Sequence, residues 1–171
     1  MKPLFAFVFT LLTCCVFAQS FKKIPVGNSG CSIYTYCDIK FTVEKSTDSS
    51  LVYTGECIND EVSYGIICVK LLTPVTDLTM AEDLLIAYLD YLKESFGITK
   101  AAGYGKGHQL NDNERTRGIL DYWVDNDKDS WKVIAWTDGK FIGVMYAYSI
   151  KPLPESKINT FLDSFRLPES R

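Results

Sequence analysis

Two blocks of β-forming residues, separated by one amphipathic helix, predict an α+β fold whose centre is an antiparallel β-sheet. Three observations carry that prediction. Runs rich in Ile, Val, Tyr and Phe, broken by short polar clusters, fill residues 31 to 72 and return at 118 to 150. The pair Asp138-Gly139 joins two of these runs and is a strong hairpin signal, which makes its flanking strands antiparallel. Helical periodicity appears near residue 80 and again near the C-terminus, each time with one apolar face suited to docking on a core.

The chain opens with Met1, Lys2, an apolar run from Leu4 to Phe17, and Val16-Phe17-Ala18 ahead of Gln19. A positive start, a short apolar stretch and compact residues before the cut are the pattern of a secretory signal peptide over residues 1–18. The expected address is therefore export, to a periplasm or the medium. A competing reading, lipid attachment at Cys14 after Leu11-Leu12-Thr13, fits less well because Cys14 lies inside the apolar run. Residues 19–30 are polar with Gly and Pro and read as a flexible lead-in, followed by a single α+β domain over 31–168.

In the first block, Ser32 to Tyr36, Ile39 to Glu44, Leu51 to Ile58 and Val62 to Leu72 read as strands of a meander. Four cysteines, Cys31, Cys37, Cys57 and Cys68, remain after the leader, and in an oxidising compartment they imply two disulfides. If Ser46 to Ser50 forms a turn, positions near 37 and 57 face each other, which favours Cys37 with Cys57. With no C-x-x-C pair and one histidine, the cysteines read as staples in preference to a redox or metal site.

The helix that follows begins at Thr79 with Glu82 as a capping box and ends at Gly97; its apolar face is Ala81, Leu84, Leu85, Tyr88 and Leu92, with Ile86 off that face. Residues 98 to 110, interrupted by Gly103, Gly105 and Gly107, read as a loop or irregular strand. Three strands come next, Gly118 to Val124, Trp131 to Thr137 and Lys140 to Ile150. With Thr137 opposite Lys140, one face collects Trp131, Val133, Ala135, Ile142, Val144 and Tyr146, and the other Ile134, Trp136, Phe141, Met145 and Ala147. Both faces are apolar, so the hairpin is covered twice or uses one face to bind. A last helix starts at Pro154 and reaches about Phe165, with Ile158, Phe161, Leu162 and Phe165 at helical spacing.

This order of elements, closed by a helix carrying Phe161-Leu162-Asp163-Ser164-Phe165-Arg166-Leu167, resembles the Mog1/PsbP-like family over most of the mature chain. The resemblance implies an antiparallel sheet flanked by helices on its faces, an α/β/α sandwich. That family includes photosystem II extrinsic subunits, a Ran-binding protein and bacterial exported proteins. Its members share a scaffold and not an activity, so the resemblance implies binding more than catalysis and brings no site residue with it.

A formal charge of −3 with scattered signs argues against a nucleic-acid partner. After the leader no apolar run is long enough for a transmembrane anchor. Asp125-Asn126-Asp127-Lys128-Asp129 starts like a calcium loop, but Ser130 stands where Gly is needed and Trp136 where a bidentate Glu is needed, so a polar turn is expected and a calcium-stabilised module is an alternative. Gly103 to His108 lacks the context of a phosphate cradle. Asp112, Glu114, Asp121 and Asp125 are the acids available to a second alternative, a cell-envelope enzyme with a carboxylate site. No cofactor motif is present. The preferred reading is a non-enzymatic binding or accessory protein with Trp136, Phe141 and Met145 as an apolar patch for a protein or lipophilic ligand.

Overall fold

The computed structural model describes residues 21–168; the leader and Cys14 fall outside the described residues. Ten strands and two α-helices follow the order β1 (Lys22–Pro25), β2 (Ser32–Thr35), β3 (Thr42–Lys45), β4 (Leu51–Asn59), β5 (Val62–Lys70), α1 (Leu78–Ser95), β6 (Ile98–Ala101), β7 (Gly105–His108), β8 (Arg117–Asp125), β9 (Ser130–Thr137), β10 (Phe141–Ser149) and α2 (Glu155–Leu162). The class is α+β. The main sheet runs β3-β4-β5-β10-β9-β8-β6, with β7 also on β8, and every pairing is antiparallel. No helix among the described residues is long and apolar enough to cross a membrane.

The lead-in expected to be loose instead holds β1, which pairs with β2 from Lys22↔Thr35 to Pro25↔Ser32. Val26 just beyond it is fully buried. The correction has a local cause: the Ser29 hydroxyl donates to the Val26 carbonyl and accepts from the Cys31 N–H, closing a compact turn that returns the chain onto itself. The same hairpin reaches the C-terminus, since Ser32 and Arg166 exchange backbone hydrogen bonds and the Ser164 hydroxyl bridges both backbone groups of Tyr34.

The true N-cap of α1 is Asp77, whose carboxylate accepts from the Thr79 and Met80 N–H groups, so the helix starts a residue ahead of Thr79. Its buried residues are Ala81, Leu85, Leu89 and Leu92, whereas Leu84 lies in the open. Gly97, at φ +65, carries the left-handed turn that ends the helix.

Between β9 and β10 the connection is longer than a two-residue hairpin. Thr137 pairs with Ile142, not Lys140; Asp138 to Lys140 form the loop, and Phe141 opens β10 by pairing with Lys70 of β5. The Asp138 carboxylate accepts from the Lys140 and Phe141 N–H groups and the Thr137 hydroxyl donates to the Phe141 carbonyl, which stabilises the wider turn. Because the register moves by two residues, the side-chain faces stay as expected. Val133, Ala135, Ile142, Val144 and Tyr146 cluster with Leu85, Leu89 and Leu92 of α1. Ile134, Trp136, Phe141, Met145 and Ala147 cluster with Ile158, Phe161 and Leu162 of α2.

Candidate functional site

Trp136, Phe141 and Met145 do not form an open patch. They are 5 %, 8 % and 0 % exposed and belong to the core cluster that α2 completes. Two glycines flanking Trp136 explain the seal. Gly118 and Gly143 are its cross-strand partners on β8 and β10. A Cβ at Gly118 would strike the Trp136 ring, and one at Gly143 would strike the Phe165 ring. The indole therefore lies down over β8 while Phe165, just past α2, lies on β10 beside it. A fully buried Phe165 closes the face that was expected to bind.

Two of the four acids of the alternative carboxylate site, Asp121 and Asp125, are taken up by the fold. Asp121, 1 % exposed, accepts from the Gly103 N–H at 3.0 Å, the Tyr122 N–H at 2.8 Å and the Trp123 indole at 2.7 Å, and pairs with Lys93 at 3.2 Å. Desolvation opposes the Lys93 charge, but hydrogen bonds to Tyr104 and Asp121 outweigh it and hold its pKa above the usual lysine value. Asp125 accepts from the Asp127 and Asp129 N–H groups, each at 2.9 Å, and from the Trp131 indole at 2.8 Å. Asp112 and Glu114 are exposed on the loop before β8.

Those bonds also settle the shape of the 125–129 segment. It is a turn organised around the Asp125 carboxylate, whose two oxygens already receive three donors. Burial, followed by the charges of Asp125 and Asp127, raises the Asp129 pKa. No group of three His, Cys, Asp or Glu among the described residues is placed to hold a metal ion. His108 and Lys106 are exposed on β7, and the Lys106 ammonium approaches Glu82 at 3.9 Å. That contact ties the glycine-rich strand to α1.

Cys37 and Cys57 are joined, as the strand alternation favoured. Cys31 and Cys68 are free thiols buried in the same core, so the second expected bridge is not closed in this structure.

The open apolar surface lies on β8, the strand next to that of Trp136. Tyr122, 45 % exposed on β8, faces Lys132 across the β8–β9 ladder. The Lys132 ammonium sits 5.2 Å from the Tyr122 ring centroid and 2.7 Å from Glu155 at the start of α2. Desolvation again opposes this charge, and the contacts with Glu155 and Tyr122 carry the pKa upward. Tyr122 and Glu155, both held by Lys132, line a cleft of about 510 Å³. Val124, Leu153 and Ala102 give it an apolar lining, and Lys100 and Glu155 stand at its rim. The cleft exists because α2 packs on β10, leaving the same face of β8 uncovered up to the edge strand β6. A larger depression of about 1010 Å³ lies between the β1–β2 hairpin and Arg166, but its lining is mainly polar, so it offers less to an apolar ligand.

Of the cleft residues, Tyr122 and Val124 fall in the strand expected over Gly118 to Val124; Lys100, Ala102 and Leu153 carry no motif. The one available signal is that Tyr122 falls opposite Lys132 once the β8–β9 register is known. Neither the protein-family models nor the curated proteins compared with the chain match it.

Proposed function

We propose that this chain is an exported, non-enzymatic binding or accessory module on a Mog1/PsbP-like α/β/α scaffold, and that it holds an extended segment of a partner protein in the cleft beside Tyr122. The 510 Å³ cleft is the observation that carries the reading. Its volume suits one or two large side chains, and its apolar floor with charged rim matches the anatomy of a protein contact. Being open to solvent along one side, it would leave a free lipophilic ligand half wet, which disfavours that occupant. The adjoining strand β6 pairs only with β8 among the described residues, so its outer edge is free to accept a partner's backbone. Export draws on the leader pattern and on the Cys37–Cys57 bridge, which persists best outside the cytosol.

The test replaces Tyr122 with the photo-cross-linker p-benzoylphenylalanine in cells that export the protein, with the same replacement at Ile58, 70 % exposed on β4, as the control. A discrete protein adduct from position 122 alone supports the reading. Adducts to lipid in place of protein would assign the cleft to a lipophilic ligand, and equal labelling from both positions would remove the cleft as a binding site.

A further inference from the structure

The β1–β2 hairpin and the segment after α2 meet far from the cleft beside Tyr122, and together they carry a depression of different chemistry. Strand β2 is bonded to β1 on one side and to Arg166 on the other. Lys23 faces Tyr34 and Pro25 faces Ser32 across the ladder, and Ser32 faces Arg166 across the bridge. Strand alternation therefore puts these five side chains on one side of a small layer, opposite the fully buried Ile33. All five line the depression of about 1010 Å³.

The charge of this depression is one-sided. Lys23 and Arg166 are the charged residues of its described lining, and no carboxylate is among them, although the chain carries 21 acidic residues against 18 basic ones. Two other clefts each set an acid beside their cations, Glu155 with Lys100 in one and Asp138 with Arg115 and Lys140 in the other. The Arg166 Nη1 donates to the Asp163 and Phe165 carbonyls, both at 2.7 Å, which holds the guanidinium plane in place. Its Nε and Nη2 donors have no partner among the described residues, and neither do the Lys23 ammonium, the Ser32 and Tyr34 hydroxyls or the Asn28 side-chain amide.

We propose that this depression binds a small anionic sugar, its phosphate or carboxylate group held between Lys23 and Arg166. A guanidinium fixed by two backbone carbonyls presents a preorganised fork to an oxyanion, and a lysine beside it adds a mobile point charge. The volume is at the upper end of the range for small-molecule sites and far more than a lone oxyanion fills, so the anionic group belongs to a larger body. Ser32, Tyr34 and Asn28 offer that body hydroxyl and amide groups that both donate and accept, which suits a ring of hydroxyls better than a hydrocarbon. Phe21 stacks on the Tyr34 ring at 5.5 Å between centroids, so the phenol is held in position from behind.

The experiment titrates nitrogen-15-labelled protein with glucose 6-phosphate, glucuronate, inorganic phosphate and neutral glucose, and follows the amide resonances by NMR. The expected result is saturable shifts with a sugar anion, confined to residues 23–34 and 164–167, and none with glucose. Lys23 is exposed on β1, so Lys23→Ala should keep the spectrum of the remaining chain while weakening the sugar anion roughly tenfold, and Lys23→Arg should bind within about twofold of the wild type. The tighter of glucose 6-phosphate and glucuronate names the source of the charge. Absence of saturable shifts with both sugar anions would overturn the proposal. So would equal shifts with glucose, inorganic phosphate binding as tightly as glucose 6-phosphate, or an affinity that Lys23→Ala leaves unchanged.

Discussion

The two faces of the main sheet are held by different means. On the face shared with α1, polar atoms among the aromatics are paired: the Trp123 indole with Asp121, the Trp131 indole with Asp125, and the Tyr146 and Tyr148 hydroxyls with Glu56 at 3.1 and 3.0 Å. On the face shared with α2, the Tyr64 hydroxyl and the Trp136 indole N–H are buried with no hydrogen-bond partner among the described residues. That second face relies on closure by distant segments, through Cys37–Cys57 and the backbone bonds between Ser32 and Arg166. One face is specified by carboxylates paired with its aromatics, two of them, Asp121 and Asp125, close in sequence to the indoles they bind, and the other by chain ends meeting across it. The contrast explains why a search for open aromatics goes astray on the second face: its coverage is tertiary.

The largest expected effect breaks the polar face. Asp121→Ala would remove the buried carboxylate from the Lys93 ammonium, whose side chain is 16 % exposed, and orphan the Trp123 indole. Urea denaturation should show a loss of roughly 3–5 kcal/mol, against under about 1 kcal/mol for Asp90→Ala at the exposed end of the same network. Equal losses would remove the electrostatic account of that face. Next comes the covalent element of the other face. Replacing both Cys37 and Cys57 by Ser should cost about 2–4 kcal/mol in the same assay, since the bond closes a loop of 20 residues.

Tyr64→Phe sharpens the contrast from the opposite side. Removing a hydroxyl that has no partner should leave stability unchanged or raise it by up to about 1 kcal/mol, whereas a clear loss would reveal a bond that the contrast denies. The variant also reports on alkaline unfolding. Burial pushes Tyr64, on the α2 face, and Tyr88, on α1, up to about 12 from an ordinary value of 10. The unfolded chain therefore releases these protons first, so their contribution is intact below pH 10 and is lost as pH rises toward 12. A pH series of melts should show that decline in the wild type and a shallower one in Tyr64→Phe. The smallest effect concerns the 125–129 turn: added calcium should move the Tm by less than about 1 °C, because the Asp125 oxygens already have donors.

Much of this architecture is legible in local patterns. The alternation along residues 131–147 sorts the two faces correctly even though the turn register is displaced, because a shift of two preserves parity. The spacing of Ile158, Phe161, Leu162 and Phe165 identifies four residues that are all at most 2 % exposed. The favoured Cys37–Cys57 pairing rests on the same parity. Strand β1 is not legible, since Lys22–Pro25 has little apolar alternation and is ordered by a turn and by the chain's far end. Asp77 over Thr79 as the cap depends on which side chain reaches the free N–H groups. The candidate site is the least legible part. Trp136 and Tyr122 are both aromatic residues on neighbouring strands, and only the landing points of α2 and Phe165 decide which is covered.

The most direct test of this account is a side-by-side thermal melt of Trp136→Ala and Tyr122→Ala. If Trp136 is core and Tyr122 is the floor of an open cleft, the first variant melts more than about 10 °C below the wild type and the second stays within about 2 °C of it. A Trp136→Ala protein with an undisturbed Tm, beside a destabilised Tyr122→Ala, would contradict the account and return the binding surface to the Trp136 face.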